Sequence, residues 1–330
     1  MNRFAGLLLA LLPSFINVPL RRIMGQRIGR GSKIRFGTLL LADSVNIGKD
    51  VSLGPLCFIK AEKLTLGDHS RIKSLSYVST RIITFGQYVH SSPFVIISGE
   101  FNEHSSLEVG DHSRIFPFCL LDTGEGISVG KQTAVGTGTY IYTHGSWSDY
   151  LHGGPVLLGS VNIGDHVQIP TRVIILPNVE IGNYSIIGAG SFVNKSFGPN
   201  LLIAGSPAKV IKEVNHELSA EEKRKRMNEI LKAFAGYMAF HCKMKSEVQE
   251  GKLIFGNIKV AVDDAENLNG GDILVLVNKL IDKAEIAALI FKGVSVLDYP
   301  ITRITIGHKN KITSKLIPFV RRYGIRLYID

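Results

Sequence analysis

The chain has 330 residues, 45% hydrophobic and 20% charged, which excludes intrinsic disorder and, at about 100 to 200 residues per domain, suggests two domains or three. Glycine is abundant at 34 residues against a usual ~7%, while proline is ordinary at 12, so a collagen repeat and a flexible linker are excluded and the glycines are expected at turns. The formal charge is +10, but residues 1–42 hold Arg3, Arg21, Arg22, Arg27, Arg30, Lys33 and Arg35 with no acid, so +7 lies there; that distribution speaks against a nucleic-acid groove along the whole protein.

From the N-terminus, Phe4 to Leu20 is apolar but short for a span of ~20 residues, and it carries Pro13 and Pro19 and lacks a small-x-small cleavage site. The pattern predicts a helix from about Phe4 to Leu12, broken at Pro13. Two readings of residues 4–35 stay open: a hydrophobic cap over the structure that follows, or peripheral contact with a membrane surface in which apolar burial adds to attraction between arginines and anionic lipid.

From Ile28 a repeat takes over. Aliphatic residues recur every six positions in triplets: Ile28, Ile34, Leu40; Ile47, Leu53, Ile59; Leu66, Ile72, Val78. The pattern continues less regularly through Phe85 and Ile97, then Val109, Ile115, Leu121 and Val129, Val135, Ile141, and runs without a miss from Ile163 through Ile169, Ile175, Ile181 and Ile187 to Val193. A period of six fits neither a helix nor one alternating strand, but it is three strand alternations, so a hexad can be one short strand plus a turn and three hexads one triangular coil. The aliphatic residue points inward, a small residue four later fits the corner, and glycine is expected to allow positive φ between faces. Eight triplets make a prism about 38 Å long at ~4.8 Å per coil. Cys57 and Cys119 fall on the small corner position and read as packed thiols; with Cys242 they are too few and scattered for a disulfide framework or a Cys-rich metal site, which favours a reducing cytoplasm.

The register breaks between Ile141 and Ile163. The excursion includes His144, Gly145, Ser146, Trp147 (the chain's single tryptophan), Asp149, Tyr150, Leu151 and His152, and a loop thrown from a rigid scaffold is a common place for chemistry. The hexads resemble those of the left-handed β-helix, hexapeptide-repeat acyltransferases. The run Ile141-Tyr142-Thr143-His144, the loop, and the stretches 161–167 and 174–182 are similar to the maltose and galactoside O-acetyltransferase branch. The resemblance is close over residues 109–212 and extends back to about residue 28.

The resemblance implies acetyl-CoA as acyl donor, a sugar or sugar-nucleotide acceptor, a homotrimer with sites between subunits, and His144 as general base. Imidazole suits that task because a sugar hydroxyl attacks a thioester only when a base accepts its proton near pH 7. It implies Thr171, Gly188, Ala189, Asn194, Lys195 and Lys209 along the coenzyme, the lysines facing its phosphates; Asp122 reads as an acceptor ligand or an ordinary turn residue, Trp147 in the loop is a further acceptor-side candidate, and no metal ligand is expected. The chain departs from many relatives at Gln168 and Pro170, where they have tryptophan and glycine, and lacks the asparagine expected within 114–118. His69, His112 and His166, in Gly-Asp-His corners, read as outward turn residues, and His152 matches no motif residue.

Beyond Val214 the hexads end. Ser219-Ala220-Glu221-Glu222 is a capping box opening a helix to about Lys245. Strands are expected at Leu253 to Val262, Ile273 to Val277, Val294 to Leu297 and Ile325 to Ile329, and a helix near Ser314 to Tyr323. Arg321, Arg322 and Arg326 can be read as a solvated basic face or as contacts to a phosphate.

The fold expected is therefore an all-β left-handed parallel β-helix over 28–213, with an N-terminal helical segment over 1–27 and a small α+β domain over 214–330. The function expected is O-acetylation of a sugar hydroxyl in polysaccharide or glycolipid biosynthesis, in the cytoplasm or at the inner face of its membrane, with no nucleic-acid partner. N-acetylation of a nucleotide-linked amino sugar would use the same His144. A zinc-binding β-helix carbonic anhydrase and a non-catalytic scaffold are further readings.

Overall fold

The computed structural model describes residues 3–145, 149–214, 218–249, 251–278, 281–299, 303–325 and 327–329. It divides into two compact units, Met1–His216 and Glu217–Asp330.

The first unit is a left-handed parallel β-helix whose strands stack in three columns. In one column Ile28, Ile47, Leu66, Phe85, Val109, Val129, Ile163 and Ile181 lie in register. In the second, Ile34, Leu53, Ile72, Ser91, Ile115, Val135 and Ile169 do so. The third runs from Leu40 through Ile59, Val78, Ile97, Leu121, Ile141 and Ile175 to Val193. All these side chains are buried and, Ser91 aside, they form one continuous core. The hexads are thus coils, each burying its apolar edge on its neighbours. Ser91 stands where an aliphatic residue would complete the triplet of Phe85 and Ile97, and its buried Oγ has no hydrogen-bond partner.

The corners differ from expectation in one respect. Positive φ is taken mainly by other residues: Asp50, His69, Tyr88, His112, Gln132, His166 and Tyr184 form one corner, and Leu56, Leu75, Phe94 and Phe118 another. Rings on successive coils stack there, as in His69 on Tyr88 (4.6 Å) and His166 on Tyr184 (4.5 Å), which offsets the cost of the left-handed backbone. The glycine after the aliphatic residue is needed for closeness instead. A Cβ on Gly67 would lie 2.5 Å from the carbonyl carbon of Gly86 and 2.7 Å from the Gln87 nitrogen. Because those atoms are backbone, Gly67→Ala is expected to destabilise this unit by about 1–3 kcal/mol, whereas Gly198→Ala, with no atom within 4 Å of the added carbon, is expected to be near neutral; thermal unfolding of both variants checks this.

The small corner residues join coils. The Ser70 hydroxyl donates to the Gly86 carbonyl and accepts from the Val89 amide, and Ser113 and Thr133 repeat the arrangement. Cys57 and Cys119 occupy the same niche with their thiols on the carbonyls of Lys73 (3.1 Å) and Gly136 (3.0 Å). Burial raises the pKa of both, Cys119 to about 11, so they sit as protonated packing groups.

Helix α1 (Arg3–Ala10) is followed by α2 (Ser14–Ile23), a helix not expected from the prolines. Pro13 lies at the N-cap of α2, where its carbonyl accepts from the Asn17 amide (3.0 Å) and its missing N–H interrupts no helical bond. Both helices touch the first coil. The Gly37 amide donates to Ala10, the Ile34 amide to the Ser14 hydroxyl, and buried Arg21 to the Asn17 side chain (2.7 Å) and the Leu40 carbonyl (3.4 Å). They therefore cap the end of the prism. At the other end the strands Leu201–Gly205 and Ala208–Glu213 close it as an antiparallel hairpin.

In the second unit α3 (Ala220–Cys242) opens on the expected capping box, Ser219 and Glu222 each bonding the other's backbone amide. Among the described residues seven strands form a sheet in chain order. The expected strand over 253–262 is a hairpin, Lys252–Phe255 and Ile258–Val262, turning at Gly256 (φ 61°). Strands 258–262, 273–276 and 295–298 are parallel, and α4 (Lys283–Phe291), which the sequence reading passed over, lies between the last two in the chain. Ile273 and Val275 pack with α3 and α5 (Lys311–Val320), Leu274 and Leu276 with α4, so the sheet carries helices on both faces. Arg321 bonds the Leu327 carbonyl and Arg322 lies over the rings of Tyr237 and Phe319, which gives both a structural use; Arg326 is outside the described residues.

Candidate active site

The third column of strands positions the site. Leu121 pairs with Ile141, so Asp122 comes beside Tyr142 on the next coil, and the chain then leaves the prism at Thr143. His144–Gly145 pairs antiparallel with Leu157–Leu158, making the excursion a hairpin, and the Gly159 amide closes its neck on the Thr143 carbonyl (3.0 Å).

Asp122, a candidate to face an acceptor, is buried at 4% exposure. Its Oδ2 accepts from Nδ1 of His144 at 2.5 Å, from the Thr143 amide at 3.1 Å and from the His144 amide at 3.2 Å. Its Oδ1 faces the Gly124 amide at 3.4 Å. Buried Thr143 completes the frame, its hydroxyl donating to the Asp122 carbonyl (2.9 Å) and accepting from the Glu125 amide (3.0 Å). The carboxylate therefore holds the imidazole and the neck of the loop, with little surface of its own to offer. The His144 side chain is half exposed (50%), so one edge of the ring is fixed and the other is open. With Nδ1–H donated to the carboxylate, Nε2 is left to accept a proton.

The pair was hidden by sequence distance, 22 residues, although it is one coil in space. A usable signal was present: an aspartate directly follows an inward aliphatic residue, and only a specific partner justifies burying it there. Thr143, part of the motif run, takes a place in the frame that the motif did not assign.

Elsewhere in the loop Asp149 caps a short turn, Tyr150–His152, and takes the His152 ring at 2.7 Å. His152 is 86% exposed and does not join the His144 pair. Trp147 lies outside the described residues.

The residues expected along the coenzyme fall in two groups. Thr171 and Ala189 share a corner, the Gly190 amide donating to the Thr171 carbonyl, and Gly188 packs on Ala204, which pairs with Lys209. Thr171, Ala189 and Lys209 are exposed. Asn194 and Lys195 instead follow Val193 on the column that carries His144, two coils on from Ile141 or about 10 Å along the axis. Both are exposed, and the Lys195 ammonium lies over the Phe197 ring at 5.6 Å. Within one chain, then, Asn194 and Lys195 share the corner of His144, and the other four residues line a different one.

A hexapeptide coil pierced by a histidine-bearing loop makes the chain similar to the hexapeptide-repeat acyltransferases. Residues 160–195 match the family model of the bacterial transferase hexapeptide (six repeats). The chain is 27% identical over 169 residues to the putative lipopolysaccharide biosynthesis O-acetyl transferase WbbJ of Escherichia coli K12, a match covering 44% of this chain and 86% of that one. It is 49% identical over 55 residues to galactoside O-acetyltransferase of the same organism, covering 17% of this chain and 27% of that one, so the chain spans about a quarter of that relative. A hexapeptide-repeat acetyltransferase of Vibrio cholerae, solved with acetyl coenzyme A, is 28% identical over 38% of this chain and 68% of its own, with a TM-score of 0.34.

Proposed function

We propose that the protein is an acetyl-CoA-dependent O-acetyltransferase that modifies a sugar hydroxyl in the biosynthesis of a polysaccharide or glycolipid. The observation that carries this reading is the half-exposed His144 ring fixed through Nδ1 by buried Asp122; the O-acetyltransferase relatives supply the reaction class. In this reading Nε2 accepts the proton of the acceptor hydroxyl as its oxygen attacks the thioester carbonyl. The tetrahedral intermediate is stabilised by a backbone amide and collapses with cleavage of the carbon–sulfur bond, and the proton passes from His144 to the coenzyme A thiolate. Asp122 acts as the positioning residue, fixing the tautomer and stabilising the imidazolium as it forms.

The two groups of expected coenzyme-side residues suit a homotrimer. One subunit would present His144 with Asn194 and Lys195, and its neighbour Thr171, Gly188, Ala189 and Lys209 from a different corner, so that the coenzyme lies between them. Lys195 and Lys209 would meet its phosphates as point charges. Supply of acetyl-CoA would place the enzyme on the cytoplasmic side of the membrane.

The test is release of free thiol from acetyl-CoA by the full chain over a panel of free sugars, oligosaccharides and nucleotide-linked amino sugars. Acceptor-dependent release with product acetylated on oxygen supports the proposal. A product acetylated on nitrogen would reassign the acceptor class while keeping the base, and no release with any acceptor would count against the reading.

A further inference from the structure

The prism's N-terminal cap has a second apolar face. Leu9, Ala10 and Val18 are buried beneath it, as are Asn17 and Arg21. On the other side Leu7, Leu8, Leu11, Phe15, Ile16, Leu20, Ile23 and Met24 stand exposed, joined by Phe36 of the first coil; Phe15 is 78% and Ile23 82% exposed. Patches of this kind on a folded protein mark an interaction surface.

Charge selects the occupant. Arg21 is consumed inside the cap, and Arg22 bonds the Ile28 and Gly29 carbonyls. Arg27, Arg30, Lys33 and Arg35 of the first coil remain exposed; the Asp50 carboxylate of the next coil stands against Gly31, so the four cations are offset in part and an excess of positive charge is left. A second copy meeting this face would bring the same cations against themselves. An anionic bilayer meets both demands, since the apolar side chains enter the acyl boundary and the cations meet the headgroups. Among the described residues no helix is long and apolar enough to cross a membrane; α1 and α2 have 8 and 10 residues and suit lying in the interface.

We infer that the α1–α2 cap is an in-plane anchor that docks the prism end-on onto anionic lipid through Leu7, Leu11, Phe15 and Ile23, with Arg27, Arg30, Lys33 and Arg35 on the headgroups. The cap and membrane roles coexist because different sides of the helices serve them. The inference is independent of the acetyl-transfer reading.

Flotation of the full chain with vesicles tests it, using phosphatidylcholine alone and phosphatidylcholine with a quarter phosphatidylglycerol. Binding is expected to the second and to fall steeply in 0.5 M salt. Phe15→Ser with Ile23→Ser is expected to lower binding about ten-fold or more, and Arg27→Glu with Arg30→Glu by a similar factor, each with unchanged melting temperature and elution volume. Wild type that stays off anionic vesicles overturns the inference, as does undiminished binding by either folded double variant. Should Phe15→Ser with Ile23→Ser reduce the oligomer while wild type ignores vesicles, the face belongs to a second copy.

Discussion

His144→Ala is expected to lower acetyl transfer by about 10²- to 10⁴-fold, the usual contribution of a positioned general base, while the protein stays folded. The fold should survive because the ring is half exposed and because Asp122 keeps the backbone amides of residues 143 and 144 when the imidazole is gone. The loss should fall on kcat, since the proton moves in the transition state and substrate binding does not need it. His152→Ala supplies the control: its ring is exposed and, among the described residues, pairs with Asp149 in a local turn, so a change of less than about two-fold is expected. Thiol release under saturating acceptor, with acceptor-free hydrolysis subtracted, measures both. Equal turnover in wild type and the folded His144→Ala variant would remove His144 as the base.

The fold was legible in the sequence wherever one residue fixes one place in a coil. The aliphatic hexads put Ile163 to Val193 and their upstream counterparts inside the prism, because a strand turned every six residues has one inward position per face. Legibility failed where tertiary context overrides local pattern. Ser91 breaks a triplet and is buried all the same, held by strands on either side. α2 forms across a segment with two prolines because its cap site tolerates one and Asn17, Val18 and Arg21 are buried against the first coil. The glycines follow a requirement of stacking distance invisible along the chain, while rings on adjacent coils take the left-handed corners. In the site, the motif made His144 the expected base and the aligned triplets already set Leu121 level with Ile141, but the contact of the next residue, Asp122, with the His144 ring arises only where the chain turns out of the prism.

Asp122→Asn is expected to reduce kcat by about 10²-fold with little change in the KM for acceptor. An asparagine can still turn an oxygen toward His144 and the amides of residues 143 and 144, leaving its NH₂ toward the Gly124 amide, the weaker contact at 3.4 Å. Geometry is then largely kept, and what disappears is the negative charge that stabilises an imidazolium formed during proton transfer. Asp122→Ala is a poorer probe, since it strips buried amides of their acceptor at about 1–3 kcal/mol each and threatens the neck of the loop. The split between constants separates the two roles open to this carboxylate. A positioning residue acts through His144, so kcat falls alone, and adding Asp122→Asn to His144→Ala costs nothing more. A residue that binds the sugar would raise the acceptor KM whether or not His144 is present. An unchanged kcat with a raised KM would return Asp122 to the acceptor and leave the imidazole without an electrostatic partner, whereas strict non-additivity in the double variant would tie the two side chains into one catalytic unit.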